Sequence, residues 1–235
     1  MIGRFRYQGR IFQGEVRGDV VVDGDAEIGI HELDVLVPCE PTKIVGVGLN
    51  YYDHAEELGM KIPDEPIIFL KPISALQSHE RPILHPRVSR VDYEGELAVV
   101  ISERCKNVSE KYAEDYILGY TCANDVTARD IQQKDIQWTR SKSFDTFAPV
   151  GPFIQEDVKE VDVLCKLNGK IVQKGNTKNM IFGVHELIEF ISGVMTLEKG
   201  DVILTGTPAG VGKMNRGDIV EVEVEHIGTL RNPVI

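Results

Sequence analysis

Asp92-Tyr-Glu94-Gly-Glu96-Leu-Ala-Val-Val-Ile101 opens the longest strand candidate in the chain, spanning 92–102, with Val99, Val100 and Ile101 at its apolar end. Residues two apart on a strand point to the same face. Glu94 and Glu96 therefore stand side by side, roughly 6–7 Å apart along the strand. Two unpaired carboxylates leading into an apolar strand fit either an exposed acidic edge or a cation held between them. Gly95 lets the backbone bend so that both can converge. Hard oxygen donors of this kind select Mg, Mn or Ca over Zn or Cu.

Short β segments surround this strand. Strands at 10–16, 20–23 and 34–37, separated by Gly18-Asp19 and Gly24-Asp25 turns, predict a small N-terminal β region over 1–40, closed by Pro38 and Pro41. Further strands are expected at 43–47, 66–70, 117–126, 161–167, 171–174, 201–205 and 218–225, with Asn168-Gly169 as a hairpin turn. Helical character is confined to four places. The first is 50–59, stopped by Gly59; the second is 109–115. The third begins at Thr127, in a capping box with Asp130. The fourth is 182–195, where Val184, Leu187, Ile188 and Ile191 recur at helical spacing. Strands outnumber helices and do not alternate regularly with them, which favours an α+β, β-rich mixed fold over a doubly wound sheet.

The 235 residues carry 26 Lys and Arg against 37 Asp and Glu, a net charge of −11. Nucleic-acid binding rests on neutralising phosphates, so this balance argues against such a partner. No run approaches roughly 18 consecutive apolar residues, so no membrane span is expected. The first residues lack the apolar core of a secretory signal. A cytoplasmic protein is the expectation, and four cysteines without a C-x-x-C pair agree with it.

Several familiar motifs fail. Gly46-Val-Gly48 has Tyr51 where a dinucleotide fingerprint needs its third glycine, leaving a tight turn as the expectation. Gly212-Lys213 is no P-loop, because Thr207 and Met214 stand where Gly and Ser/Thr belong. Neither G-x-S-x-G nor H-E-x-x-H occurs. Asp125 falls where a strand ends and a helix starts, offering a third carboxylate with Arg129 and Gln132 on one helix face. The plainer alternative is a helix capped by Thr127, with Asp125 and Arg129 a solvated pair. His54 and Glu57, three apart, share a helix face. A carboxylate can orient an imidazole as a general base, although such pairs are common on helix surfaces. Trp138-Thr-Arg-Ser-Lys142-Ser-Phe-Asp145 reads as a solvated loop anchored by Trp138. Thr205-Gly-Thr207-Pro-Ala-Gly210-Val-Gly212 can present N–H groups to a carboxylate or phosphate, or simply turn the chain.

Six stretches together resemble the fumarylacetoacetate hydrolase family. They are Gly48-Leu-Asn50-Tyr-Tyr-Asp-His54-Ala-Glu-Glu57, Phe69-Leu-Lys71-Pro, Asp92-Tyr-Glu94-Gly-Glu96-Leu, Asn124-Asp125-Val-Thr-Ala-Arg129-Asp, Ser141-Lys142-Ser-Phe and Leu204-Thr-Gly-Thr207-Pro-Ala-Gly-Val-Gly. They occur in family order over about residues 43–235. The resemblance implies a twisted mixed β-roll with short flanking helices as a catalytic domain over 41–235. It also implies a divalent Mg or Mn ion (Ca in crystals) and a homodimer. By position, Glu94, Glu96 and Asp125 correspond to metal ligands, and Lys142 to the cation beside the metal. Arg129 and Gln132 correspond to substrate contacts, and Thr207 to the holder of a substrate carboxylate. Larger members add an acid before the histidine; 45–50 contains none, so three protein ligands are expected. His54 and Glu57 resemble the dyad of small acylpyruvate-cleaving and oxaloacetate-decarboxylating members, where it lies on a lid, here 50–64. The implied function is metal-dependent hydrolytic C–C cleavage of an acylpyruvate or fumarylpyruvate-type 2-oxo acid. Decarboxylation or isomerisation, of oxaloacetate or 2-hydroxyhepta-2,4-diene-1,7-dioate, is the alternative. A non-catalytic metal-binding homologue is the reading from another class.

Overall fold

In the computed structural model, which describes residues 1–235, the strand expected over 92–102 is two strands. Val91–Tyr93 and Gly95–Ile101 are separated at Glu94 because they serve different sheets. Gly95–Ile101 is buried at every position and lies between Ile117–Asn124 and Val202–Leu204 in a twelve-stranded sheet. Val91–Tyr93 joins a three-stranded sheet between Thr127–Ala128 and Gly212–Met214. The break turns Glu94 inward, so the two glutamates converge by a change of sheet rather than by strand alternation alone.

The large sheet continues from Val202–Leu204 through a parallel pairing to Ile44–Gly48 and an antiparallel one to Ile67–Lys71. On its other side Ile117–Asn124 pairs with Ala148–Gln155, which meets Ile2–Tyr7 and then the remaining N-terminal strands. Those strands bury a small cluster of their own, Phe5, Phe12, Val16 and Val21. The main core runs between the large sheet and a four-stranded antiparallel sheet of Lys170–Asn176, Asp162–Leu167, Ile219–Val224 and Gly228–Pro233. The result is the β-rich mixed architecture expected. No helix is long and apolar enough to cross a membrane.

Gly95 has a packing role. A Cβ there would lie 3.2 Å from Cys165 Cβ and 3.3 Å from Val222 Cγ2, so the bare backbone lets the two sheets approach beside the carboxylates. The Asn168-Gly169 turn forms as expected, with φ of 53° and 76° closing the hairpin in the conformation that Asn and Gly tolerate. The capping box does not form. Thr127 is in a strand, and the helix is the single turn Arg129–Gln132 with Ala128 before it. Thr127 Oγ1 instead donates toward Glu94 Oε1 and the Asp125 carbonyl, at 3.1 and 2.9 Å.

Gly46 and Gly48 also differ from expectation. They are not a turn but alternate positions of the strand Ile44–Gly48. A Cβ on Gly46 would come 2.2 Å from the Phe69 ring, and one on Gly48 would come 2.5 Å from the Trp138 ring. The missing side chains make room for two aromatic rings. Gly48→Ala should therefore cost about 1–3 kcal/mol, the usual penalty of overpacking. Urea denaturation measures it. Trp138 is the only tryptophan, so its emission should shift as well. A variant with unchanged stability and emission would show that the ring does not fill this space.

Asp201, fully buried, ties the start of the central strands together. It accepts from the backbone N–H groups of Thr42, Lys43 and Glu198 and pairs with Lys43. Burial works to raise its pKa, but the Lys43 ammonium and the backbone donors outweigh burial and lower it. An acid with a depressed folded pKa stabilises fully above its unfolded value of about 3.9. That stability is lost as pH falls through the folded value. Asp201→Asn should flatten the loss of stability below about pH 4, read by thermal melts from pH 7 to 2. A melt profile as steep as the wild type's would remove Asp201 from the acid transition.

Candidate metal and catalytic site

Glu94, Glu96 and Asp125 come together although they sit on the break between two strands, on a central strand and just past a strand end. One oxygen from each lies within 4.8 Å of the others. All three residues are buried. Backbone order holds them there: Glu94 N donates to Asn124 Oδ1 at 3.0 Å, Gly95 N to Gln173 Oε1 at 2.9 Å, and Asp125 N to the Glu94 carbonyl at 2.8 Å.

Two buried lysines share Asp125. Lys71 pairs with Oδ1 and Lys142 with Oδ2, while Lys142 Nζ also donates to Glu94 Oε2 at 2.9 Å. Arg129 pairs with Glu94 Oε1, donates to Asp92 Oδ2 at 2.9 Å, and bonds Gln132 Oε1. Arg129 therefore braces Glu94 as well as lining the cavity. Burial works against the charge on Glu94, but Lys142 and Arg129 outweigh it and hold its carboxyl far below the usual range. Burial lowers the Lys71 pKa despite Asp125. For Lys142 the pull of Asp125 and Glu94 exceeds burial and raises it. Glu96 is the carboxylate without a cation. Its one partner is Gly206 N–H, at 2.7 Å, and burial with the charges of Asp125 and Glu94 pushes its pKa well up. Three converging hard oxygens, one lacking a counter-charge, suit a divalent cation.

Above the triad lies the helix Tyr52–Leu58, shorter than expected and ended by Gly59 at φ 62°. His54 Nδ1 lies 3.0 Å from Glu57 Oε2. Glu57 also accepts Gly210 N–H, at 3.1 and 3.2 Å to its two oxygens. Because an ionised carboxylate can only accept, Nδ1 is the donor of this bond, and Nε2 is the ring nitrogen left to take up a proton. His54 and Ala55 of the helix are buried, as is Tyr51 just before it. Asn50 anchors the segment from below. Its carboxamide donates to the carbonyls of Phe182 and Thr205, at 3.0 and 2.8 Å, and accepts from Phe182 N at 2.8 Å.

These groups line one cavity of about 160 Å³. It contains the triad, His54, Arg129, Gln132, Lys142 and Thr207, with Val47, Leu49, Leu58, Met60, Ile67, Phe69 and Trp138 as its apolar walls. Thr207 Oγ1 donates to the Gly95 carbonyl at 2.9 Å and accepts from Gln173 Nε2 at 2.8 Å, which ties the Gly-rich loop to the strand bearing Glu96. Glu57 touches the cavity only through His54. The stretch expected as a solvated loop is partly a helical turn, Thr139–Lys142, with Ser141 and Lys142 buried.

The sequence model described as Fumarylacetoacetate (FAA) hydrolase C-terminal matches residues 43–235. The chain belongs to the fumarylacetoacetate hydrolase family. It is similar to an uncharacterized protein of Archaeoglobus fulgidus, 57% identical over 100% of this chain and 96% of the relative. It is also 46% identical to a protein of Dictyostelium discoideum named oxaloacetate decarboxylase, mitochondrial, over 80% of this chain and 90% of that one. The crystal structure of 5-carboxymethyl-2-hydroxymuconate delta-isomerase from Mycobacterium smegmatis superimposes with a TM-score of 0.94 at 42% identity, covering 100% of this chain and 98% of that one. The protein is thus an enzyme of the fumarylacetoacetate hydrolase family with a carboxylate triad able to hold a divalent metal. Four site features had no reading of their own in the residues. Lys71, Asp92 and Asn50 lay inside family stretches but carried no role, and Gln173 stood between Val172 and Lys174 in a short strand with nothing to single it out.

Proposed function

We propose that the protein cleaves the C–C bond of an acylpyruvate-type 2,4-dioxo acid by hydrolysis, using Mg or Mn. The observation carrying this reading is the His54–Glu57 pair in the same cavity as the triad and Lys142. Glu94, Glu96 and Asp125 would hold the ion, which would supply a Lewis acid for the 2-oxo group. His54 Nε2 takes a proton from water as the water adds to the distal carbonyl, and Glu57 stabilises the imidazolium. The C3–C4 bond then breaks. Its electron pair stays with the pyruvate fragment as an enolate, and the distal fragment leaves as a carboxylic acid. Lys142 faces the enolate oxygen and offsets its charge. His54 returns the proton to C3, giving pyruvate. Arg129, Gln132 and Thr207 orient the substrate carboxylate. The 50–64 segment acts as a lid, and two chains form a homodimer with 1–40 as an accessory region beside the 41–235 catalytic domain.

A second reading is decarboxylation or isomerisation of a 2-oxo acid, favoured by the names of the Dictyostelium and mycobacterial relatives. Both reactions pass through an enolate or dienolate and need no activated water. A turnover screen with Mg and Mn against acylpyruvates, oxaloacetate and 2-hydroxyhepta-2,4-diene-1,7-dioate decides between them. Acylpyruvate as the best substrate supports hydrolysis; turnover of only the other two overturns it.

A further inference from the structure

The cavity is charged at one end and apolar at the other. Its two permanent cations, Arg129 and Lys142, both lie at the inner end, in contact with Glu94. From there the wall runs outward through aromatic rings. Lys142 Nζ sits 4.9 Å from the Phe69 ring centre, and Phe69 meets Trp138 edge-on at 5.6 Å. Beyond them stand Ile67, Leu58 and Met60, which are 39%, 51% and 51% exposed and form the mouth. No cation lines this outer part. Lys61, next in sequence to Met60, is largely exposed and pairs with Asp64 instead.

The wall is built into the chain. Gly46 and Gly48 leave the space that the two rings occupy, and Ile67 packs 3.7 Å from where a Gly48 Cβ would be. A carboxylate placed against these rings would lose water without gaining a partner, whereas an alkyl or aryl group would lose only unfavourable hydration.

We propose that the substrate has an uncharged, apolar group at the end remote from its 2-oxo acid, seated between Phe69 and Trp138 and covered by Leu58 and Met60. The site thereby selects alkyl- or aryl-acylpyruvates, and disfavours long diacids whose second carboxylate would reach the mouth. This rests on the 2-oxo acid reading of the inner end.

N-alkyl oxamates, which present a 2-oxo acid head and a variable tail, test the tail separately from turnover. Their affinity for the Mg-loaded full chain can be followed by calorimetry and by Trp138 fluorescence. Each methylene from N-methyl to N-propyl should tighten binding roughly four-fold, the value of about 0.8 kcal/mol per buried CH₂. A tail of equal length ending in a carboxylate should bind at least ten-fold more weakly than its alkyl counterpart. Ile67→Lys, at an exposed position that tolerates charge, should reverse that preference.

If oxamate itself fails to bind, the 2-oxo acid reading of the inner end fails and the tail assignment falls with it. If oxamate binds but the carboxylate-ended ligand binds as tightly as the alkyl one, the tail assignment alone is wrong. If Ile67→Lys changes the oligomeric mass and leaves the ligand order unchanged, the mouth belongs to a second copy of the chain, and the tail assignment is again overturned.

Discussion

If acylpyruvate hydrolysis is the native reaction, His54→Ala should lower it by roughly 10²–10⁴, the usual share of a positioned general base, and should leave folding and metal binding intact. The imidazole contacts none of the three carboxylates that would hold the ion; its hydrogen-bond partner is Glu57 on its own helix. Removing it breaks no hydrogen bond of the triad. Oxaloacetate decarboxylation needs an enolate stabiliser but no activated water, so it should fall much less. Glu57→Gln should mimic His54→Ala more weakly, because it affects the orientation and basicity of the ring only. Lys142→Ala should damage both reactions, since both pass through the same enolate. Parallel kinetics of the three variants on the two substrates at saturating Mg make the comparison. Acylpyruvate turnover unchanged in His54→Ala would remove the water-activating role and favour the decarboxylase or isomerase reading.

Lys71→Met costs about 3–5 kcal/mol in metal-free protein, the penalty for breaking a buried ion pair from one side. The ammonium is completely enclosed and pairs with Asp125 Oδ1, while its second bond goes to the Val126 carbonyl at 3.2 Å. Methionine fills similar space but leaves Asp125 with Lys142 alone. A divalent ion would supply the missing charge, so Mg should restore more stability to the variant than it adds to the wild type. Binding to the folded state alone stabilises by about 2.7 kcal/mol at a hundred times the dissociation constant. Urea denaturation of both proteins, with excess Mg and with EDTA, provides the four values. Equal Mg increments in variant and wild type would show that Lys71 does not share its charge balance with the metal site.

The β-rich fold was legible because apolar runs and Gly or Asn turns punctuate the chain, as at Asn168-Gly169. Ala148–Gln155 was not, because Pro149, Gly151 and Pro152 interrupt its pattern. The sheet accommodates them through a register shift against Ile117–Asn124. Two glutamates beside an apolar strand and an aspartate at a strand end were visible as candidates, but each had a plainer alternative, and only the family resemblance joined the three as a ligand set. Lys142 could be read only through the family resemblance, since its neighbours Arg140, Ser141 and Ser143 look solvated and only tertiary packing buries it. Lys71 closes an otherwise apolar strand, and Asp92 is one of three alternating acids with Glu94 and Glu96. Local sequence does not distinguish such a residue from one at an exposed edge. Thr127 misled because Ser/Thr followed three positions later by an acid signals a helix cap, while here its hydroxyl is engaged by the carboxylate site.

The loop that begins after Val202–Leu204 touches both halves of the chemistry. Gly206 N–H holds Glu96 and Gly210 N–H holds Glu57, four residues apart. Both ends of that span are clamped: a Cβ on Gly206 would meet Asn50 Cβ at 2.7 Å, and one on Gly210 would meet the Val172 carbonyl at 2.4 Å. Pro208, between them, has a fixed φ. The loop is therefore a short ruler between a carboxylate of the triad and the residue that holds the His54 ring. Misplacement of about 1 Å can cost a reaction 10²-fold, and a four-residue gauge with stiff joints accumulates little error. Machining tolerance, rather than any single contact, is what this part of the fold contributes, and it would make a one-residue insertion here more damaging than most substitutions.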